Sequence, residues 1–404
     1  MSFTASRLAQ VKPSASAWVS QAAKEAKARG EDVIDLGLGE PDFDTPGHIK
    51  EAAHQATLRG ETKYPPTNGT LTMRQAVVDK LRRKNNLDFA LDEVIVSNGA
   101  KQVLFNAFMA TLEPGGEVLL CAPYFGQYKY ITTILGGVPV PLIYPQEAGF
   151  RLMPEQQSKA ITPKTRSILL NQPSNPSGAV YSDDEIKALG AVLADHESVL
   201  ILSDEIYEHI LFDDRVFRSF VALCPDLQNR TLTVNGVSKA YAMTGWRIGY
   251  GAGPKDLIVA MTKVQSQISS GACSIAQAAA AAALNGPQED VRRFCAAFER
   301  RRDLVVERVA HIPGLTLEAP GGAFYGLIGC ADLIGAKTPD GDTITDDTDV
   351  TAYLLKAARV AAVPGSAYDL SPFFRISTAA SEEVLSTAMD RIAAAVADLE
   401  GIHP

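Results

Sequence analysis

The 404-residue sequence lacks the features that mark membrane, secreted and metal-dependent proteins. No stretch approaches the roughly 18 uninterrupted apolar residues of a membrane-spanning helix, and the first residues lack the apolar centre of a signal peptide. The five cysteines are scattered without CxxC spacing, and the six histidines show no ligand spacing. We therefore expect a cytoplasmic protein with neither a disulfide framework nor a metal site.

The sequence also has no long basic segment. Its formal net charge is −9, from 38 Lys and Arg against 47 Asp and Glu. Proteins that bind nucleic acid usually carry a basic patch or stripe, so this charge argues against such a partner. Hydrophobic residues make up 46% of the chain, which is enough for a large domain and a smaller one.

What the sequence does contain is a repeated order of apolar strand, turn and helix. Such alternation predicts an α/β fold, in which a mostly parallel central sheet is flanked by helices. The run 198–212 is nearly continuous in apolar residues and predicts a buried strand that is ended by acids. Beyond a long charged helix the order changes to that of a smaller α+β domain. We predict an N-terminal segment (1–45) that packs with the small domain (291–404), and a large domain between them (46–290).

Lys239 is the residue around which the other motifs are arranged. It lies in a tight connection between two predicted strands, among small residues. A lysine in such a place is partly desolvated, which lowers its pKa and frees the neutral amine to attack a carbonyl group. The pattern indicates Schiff-base chemistry, although a solvated surface lysine is the commoner state of this residue type.

The segment around this lysine, GVSKAYAMTGWRIG, resembles the lysine signature of class I aminotransferases that use pyridoxal 5′-phosphate (PLP). The motifs GEPDFDTP, NPSG, SDEIY and FRIS follow the family's order over nearly the whole chain. The resemblance implies a PLP-transferase-like large domain, PLP held on Lys239 as an aldimine, and ping-pong transamination between an amino acid and a 2-oxo acid. Lys239 would then move the proton, with Asp204 and Tyr207 as the other catalytic residues.

The resemblance also implies which residues hold the cofactor. In the turn Gly99–Lys101, where a strand passes into a helix, free backbone N–H groups backed by the helix dipole match the phosphate-binding turn. Asp204 follows a predicted parallel strand and matches the partner of the pyridine nitrogen. The remaining implied contacts are Ala100 and Lys101 within the turn, Phe125 on the ring face, Asn175 and Tyr207 at the phenolic oxygen, Arg247, and Tyr64 from a neighbouring subunit.

Each of these residues also has an ordinary structural role open to it. Phe125 would serve as a core residue, Asp204 as the polar end of a strand, and Tyr64 as surface packing in a loop. The NPSG motif around Asn175 is also typical of a plain turn. The choice between these readings depends on whether the chain brings the residues together.

The substrate contacts come from the same resemblance. Arg375 lies in the predicted strand FFRISTA, whose alternation buries it, so it needs an anion, either the substrate α-carboxylate or an internal carboxylate. Lys101 would attract a distal carboxylate, with Ser14 and Ser16 at the same end of the site. The other implied substrate contacts are Gly39, through its main chain, Phe125 and Asn175.

The pattern is most similar to bacterial aspartate aminotransferases that carry lysine in the phosphate turn. Phe125 departs from this pattern, since tryptophan is usual there, and phenylalanine leaves the pocket more tolerant of apolar side chains. We expect aspartate and 2-oxoglutarate as substrates of a homodimer with shared active sites, with aromatic or neutral amino acids as the alternative. A PLP lyase or synthase on this fold stays open, because cofactor motifs do not determine the reaction. A nicotinamide dehydrogenase is disfavoured, because the glycines at 249–253 lack its spacing.

Overall fold

Strands and helices alternate along most of the chain. The computed structural model describes residues 3–143 and 148–402. The strands in this part of the chain are β1 Ile34–Asp35, β2 Val94–Ser97, β3 Glu117–Ala122, β4 Val138–Ile143, β5 Thr165–Asn171, β6 Leu200–Asp204, β7 Thr231–Gly236, β8 Gly249–Ala252, β9 Tyr325–Gly329, β10 Val360–Ala361, β11 Val363–Pro364 and β12 Phe373–Ser377. The α-helices are α1 Ala15–Ala28, α2 Gly47–Leu58, α3 Leu71–Lys80, α4 Ala100–Thr111, α5 Gln127–Ile134, α6 Pro154–Ala160, α7 Asp183–Ala194, α8 Phe220–Leu223, α9 Lys255–Ile268, α10 Ser274–Asn285, α11 Glu289–Val309, α12 Asp347–Tyr353 and α13 Glu382–Ala397.

The larger sheet has seven strands in the order β2-β8-β7-β6-β5-β3-β4. Strand β8 runs antiparallel to both of its neighbours, and the other pairs are parallel. Successive residues point to opposite faces, so that Leu119 joins the core under α3, α7 and α10 while Leu120 joins the core under α4, α5 and α9. Both faces are covered, which explains the nearly continuous apolar strands. The prediction of a mostly parallel sheet flanked by helices is confirmed.

A smaller antiparallel sheet has the order β11-β12-β9. In its central strand, Phe374 and Ile376 enter a second core with residues of α11 and α13. Arg375, between them, therefore faces the other way, toward the carboxyl ends of the large sheet. The sequence predicted this alternation of side chains along β12. As a result, the charged side chain of Arg375 lies between the two sheets.

The N-terminal segment packs beside this small sheet. Strand β1 pairs in parallel with β10, and Val19 and Ala23 of α1 contact Ala361 and Val363. The domain limits at residues 45 and 290 stay a prediction. In the described part of the chain, no helix is both long and apolar enough to span a bilayer.

The strand predicted in the apolar run 198–212 ends at its acids, because β6 stops at Asp204. The Asp204 side chain accepts the backbone N–H of Ile206 over 3.2 Å, and Glu205 accepts that of Phe220 over 3.1 Å. These acidic side chains bind backbone N–H groups where the chain leaves the sheet. The turn leaves Asp204 and Tyr207 at the sheet edge.

Candidate active site

A cavity of about 400 Å³ opens at the carboxyl ends of β5, β6 and β7, beside the start of α4. This edge is where open α/β sheets bind ligands. The cavity brings together most of the side chains that the sequence singled out. The predicted residues that line it are Gly39, Ala100, Lys101, Phe125, Asn175, Asp204, Tyr207, Lys239, Arg247 and Arg375.

Lys239 follows β7 and points its amine into the cavity. Its Nζ donates to the carbonyl oxygen of Gly39 over 2.6 Å and lies 5.8 Å from the ring centre of Tyr207. Burial, and then the nearby charge of Arg375, lower the pKa of Lys239 to about 8. Roughly a tenth of such an amine is neutral at pH 7, compared with less than a thousandth for an ordinary lysine. The site therefore contains an amine that can act as a nucleophile or a base near neutral pH.

Asp204 lies at the end of β6 with its carboxylate buried. Tyr128 donates its hydroxyl to Oδ2 over 2.7 Å, and the backbone N–H of Ile206 donates to Oδ1. Burial raises the pKa of Asp204 to about 6, against the effect of these bonds and of Lys239. No described residue forms an ion pair with this carboxylate, so it offers a buried anionic partner to a cationic group in the cavity.

The start of α4 is a positively charged concavity. Gly99 takes the left-handed φ of +87°, and a Cβ at this position would lie 2.3 Å from a guanidinium nitrogen of Arg247. A Cβ at Gly249 would likewise lie 2.2 Å from the backbone nitrogen of Ala100. The two glycines allow Arg247 to approach the helix N-terminus closely. This arrangement suits a phosphate, because N–H groups, helix dipole and guanidinium all favour an anion.

Lys101 extends from the same turn toward Phe125, with its Nζ 5.3 Å from the ring centre. The side chain reaches solvent, yet partial burial of the ammonium lowers its pKa, and Arg247 lowers it further. No described carboxylate pairs with Lys101. Gln127, which also lines the cavity, donates to Ser14 Oγ over 2.6 Å.

Arg375 is the most deeply buried charge of the site, with 1% of its surface exposed. It donates to Asn175 Oδ1 over 2.9 Å, to the Gly37 carbonyl over 2.5 Å and to Ser16 Oγ over 3.2 Å. All three partners are neutral, and its Nε has no hydrogen-bond partner within the described residues. The internal salt bridge that the sequence left open is therefore not found there. A buried guanidinium with only neutral partners is poised to bind an anion.

Tyr325, Asn171 and Tyr128 are three of the lining residues that sequence reasoning missed. Tyr207 shares a 2.7 Å hydroxyl contact with Tyr325 of the small sheet, and Asn171 donates to the Asp204 carbonyl over 3.0 Å. Tyr128 is the third. Asn171 ends β5 as Asp204 ends β6, so the strand-edge rule would have found it. Tyr128 follows Phe125 by three residues, the spacing of one helix face. No pattern in the sequence around Tyr325 marked it as a residue of the site.

Two predicted residues stand apart from the others. Tyr64 is 94% exposed and does not line the cavity of its own chain. Gly99 does not line the cavity, but it is the N-cap of α4 and precedes Ala100, which does. Ser14 and Ser16 line the cavity, and Ser16 accepts a hydrogen bond from Arg375.

The fold and the site define an α/β protein whose cavity holds a buried lysine beside groups that suit small anions. The model of the family Aminotransferase class I and II matches residues 31–392. The chain belongs to this family and is an aminotransferase, which exchanges an amino group between an amino acid and a 2-oxo acid. The family prediction is thereby confirmed.

Relatives and solved structures match this chain over nearly its full length. The chain is similar to the crystal structure of an aspartate aminotransferase from Rhizobium meliloti, with 51% identity, a TM-score of 0.96 and coverage of 99% of this chain and 100% of that one. The chain is also similar to the structure of the Thermus thermophilus aspartate aminotransferase with maleate. The identity is 41% and the TM-score is 0.90, with coverage of 98% of this chain and 100% of that one. An aspartate/prephenate aminotransferase of Cereibacter sphaeroides is 48% identical over 99% of this chain and 100% of its own.

Proposed function

We propose that the enzyme uses PLP to transfer the amino group of aspartate to 2-oxoglutarate. The observation that carries this proposal is that Arg375 and Lys101 line one cavity and that neither forms an ion pair with another described residue. A substrate with two carboxylates would neutralise both. In support, the R. meliloti relative is named an aspartate aminotransferase, and the T. thermophilus enzyme holds maleate, a four-carbon dicarboxylate.

The residues present fit PLP in three places. The α4 N-terminus with Arg247 suits its phosphate, the buried Asp204 suits a protonated ring nitrogen, and the amine of Lys239 suits its aldehyde. Phe125 supplies an aromatic wall, and the hydroxyl of Tyr207 would face the phenolic oxygen together with Asn175. When bound, PLP supplies an electrophilic carbon and a ring that accepts electrons from the substrate Cα.

The chain's own residues then have separate tasks. Arg375 binds the α-carboxylate and so orients the Cα–H bond toward Lys239. The neutral amine of Lys239 takes the proton from Cα, because its lowered pKa matches a base that works near neutral pH. The carboxylate of Asp204 holds the proton at the ring nitrogen. Lys101 binds the distal carboxylate, whereas Ser16 supports Arg375 at the α-carboxylate.

A second candidate substrate is prephenate, which joins a 2-oxo acid to a ring that bears another carboxylate. Phe125, Leu104 and Ile131 give the cavity an apolar side, which suits such a ring. The C. sphaeroides relative, named an aspartate/prephenate aminotransferase, supports this candidate.

We also propose a homodimer in which Tyr64 completes the partner's site. An aromatic side chain that is 94% exposed in a loop between α2 and α3 is suited to contact another subunit. The prediction of Tyr64 as a phosphate contact depends on this dimer.

A donor and acceptor screen tests the substrate proposal. The protein is loaded with PLP, and kcat/KM is measured for aspartate, glutamate, phenylalanine and alanine with 2-oxoglutarate, and for prephenate as acceptor with aspartate as donor. We expect aspartate to lead phenylalanine and alanine by at least about tenfold, the discrimination of one charged hydrogen bond. Equal or higher kcat/KM for alanine would contradict a site built for two carboxylates.

A further inference from the structure

Tyr128 contacts two of the groups that form the ring-binding part of the cavity. It lies in the first turn of α5 and is buried, with 3% of its surface exposed. Its hydroxyl donates to Asp204 Oδ2 over 2.7 Å. Its ring meets Phe125 edge to face, with centres 5.5 Å apart and planes at 78°. One side chain thus touches both the carboxylate and the aromatic wall.

Among the described residues, Tyr128 is the one side chain that donates a hydrogen bond to the Asp204 carboxylate. The other bond, from the Ile206 backbone, comes from Asp204's own turn and fixes only Oδ1. The position of Oδ2 therefore depends on α5. The ring of Tyr128 is held in the core around Leu104 and Ile131, so its hydroxyl has little freedom to move.

Burial and the nearby carboxylate keep the proton on Tyr128 in its contact with Asp204. Burial, and then the nearby Asp204, raise the pKa of Tyr128 well above its usual value, so its O–H remains a donor throughout the working range. The titratable groups that face Asp204 are Tyr128 from α5, Lys239 after β7 and Tyr207 from its own turn. Of these, the Tyr128 bond and the charge of Lys239 favour the ionised carboxylate against its burial.

We propose that Tyr128 is a positioning residue of the transamination reaction. Its hydroxyl aims Oδ2 of Asp204 and keeps this carboxylate ionised, while its ring braces Phe125. The inference rests on the proposed function, because it assigns Tyr128 to the acid that would hold the ring nitrogen of PLP.

The test compares Tyr128→Phe, which keeps the ring and removes the hydroxyl, with Tyr124→Phe. Tyr124 is a matched control, because it is also buried, lies on the same segment and donates to a carboxylate, that of Asp369. For each full-length variant the titration of Asp204 is followed by carboxyl NMR in the PLP-free protein, and kcat and KM are measured after loading with PLP.

We expect Tyr128→Phe to raise the Asp204 midpoint by about one pH unit, as loss of a charged hydrogen bond implies. Its kcat should fall about 10–100-fold, with KM for aspartate changed less than about threefold. Tyr124→Phe should leave the Asp204 midpoint in place. An unchanged midpoint, or a kcat within twofold of the parent, in Tyr128→Phe would overturn the proposal.

A second variant keeps the test valid if Tyr128→Phe does not fold. Replacing Tyr128 with 3-fluorotyrosine retains the shape and makes the hydroxyl a stronger donor, so the Asp204 midpoint should fall. A midpoint that stays or rises would overturn the proposal. The NMR readout uses neither PLP nor substrate. A shifted midpoint in a protein without PLP-dependent turnover would therefore refute the proposed function and the positioning role of Tyr128 in the reaction, while the coupling of Tyr128 to Asp204 would stand.

Discussion

Arg375 of the small sheet donates through Nη1 to Oδ1 of Asn175, in the loop after β5 of the large sheet, over 2.9 Å. The two parts of the molecule thus meet at a buried cation whose described partners are all neutral. A bound carboxylate would complete this contact. The bond brings the FRIS motif, through Arg375, and the NPSG motif, through Asn175, to one place, where a single small anion would contact both.

The first prediction is that Arg375→Lys lowers kcat/KM at least about 10–100-fold, because an ammonium cannot reproduce a bidentate contact with a carboxylate. The loss should be similar for aspartate and phenylalanine, since both carry the α-carboxylate. Arg308→Lys is the control, because this exposed side chain pairs with Asp390 at the surface and should have little effect. A parental rate in Arg375→Lys would place the α-carboxylate elsewhere.

The second prediction concerns Lys101. Lys101→Gln should lower kcat/KM for aspartate about 10–100-fold, the value of one charged hydrogen bond, and spare phenylalanine and alanine. Each substrate pair thus serves as an internal control for folding and PLP binding. If all substrates lose equally, Lys101 serves the cofactor phosphate rather than the distal carboxylate.

The third prediction is the pH dependence of the Lys239 amine in PLP-free protein. Because burial lowers its pKa to about 8, half of the amine is neutral near pH 8, and the reactive neutral form levels off above about pH 9. Labelling with an amine reagent, followed by peptide mass spectrometry, should give this midpoint. Lys255 is the control, since its hydrogen bond with Asp92 raises its pKa. Equal midpoints for the two lysines would mean that Lys239 is solvated.

The fourth prediction tests the shared site. Inactive variants at Tyr64 and Lys239 are mixed and allowed to exchange subunits. A hybrid dimer contains one site with both residues intact, so part of the activity should return. No recovery, with exchange demonstrated by mass spectrometry, would mean that Tyr64 does not complete the partner's site.

The sequence was sufficient for features that depend on local pattern. Lys239 was marked by its small neighbours, and Arg375 by the alternation of an apolar strand. The end of β6 was marked by its acids, since Asp204 and Glu205 accept the backbone N–H groups of Ile206 and Phe220 where the chain leaves the sheet. Tyr325 was missed because it meets Tyr207 through a contact between residues far apart in the chain.

The measurement that tests the central claim most directly is a single half-reaction. PLP-loaded enzyme is mixed with excess aspartate and no acceptor, and the oxo acid released is counted per subunit; 2-oxoglutarate is then added. We predict one equivalent of oxaloacetate, no ammonia, and further turnover with formation of glutamate only after the acceptor is present. Repeated turnover without acceptor, release of ammonia, or no oxo acid at all would contradict the account.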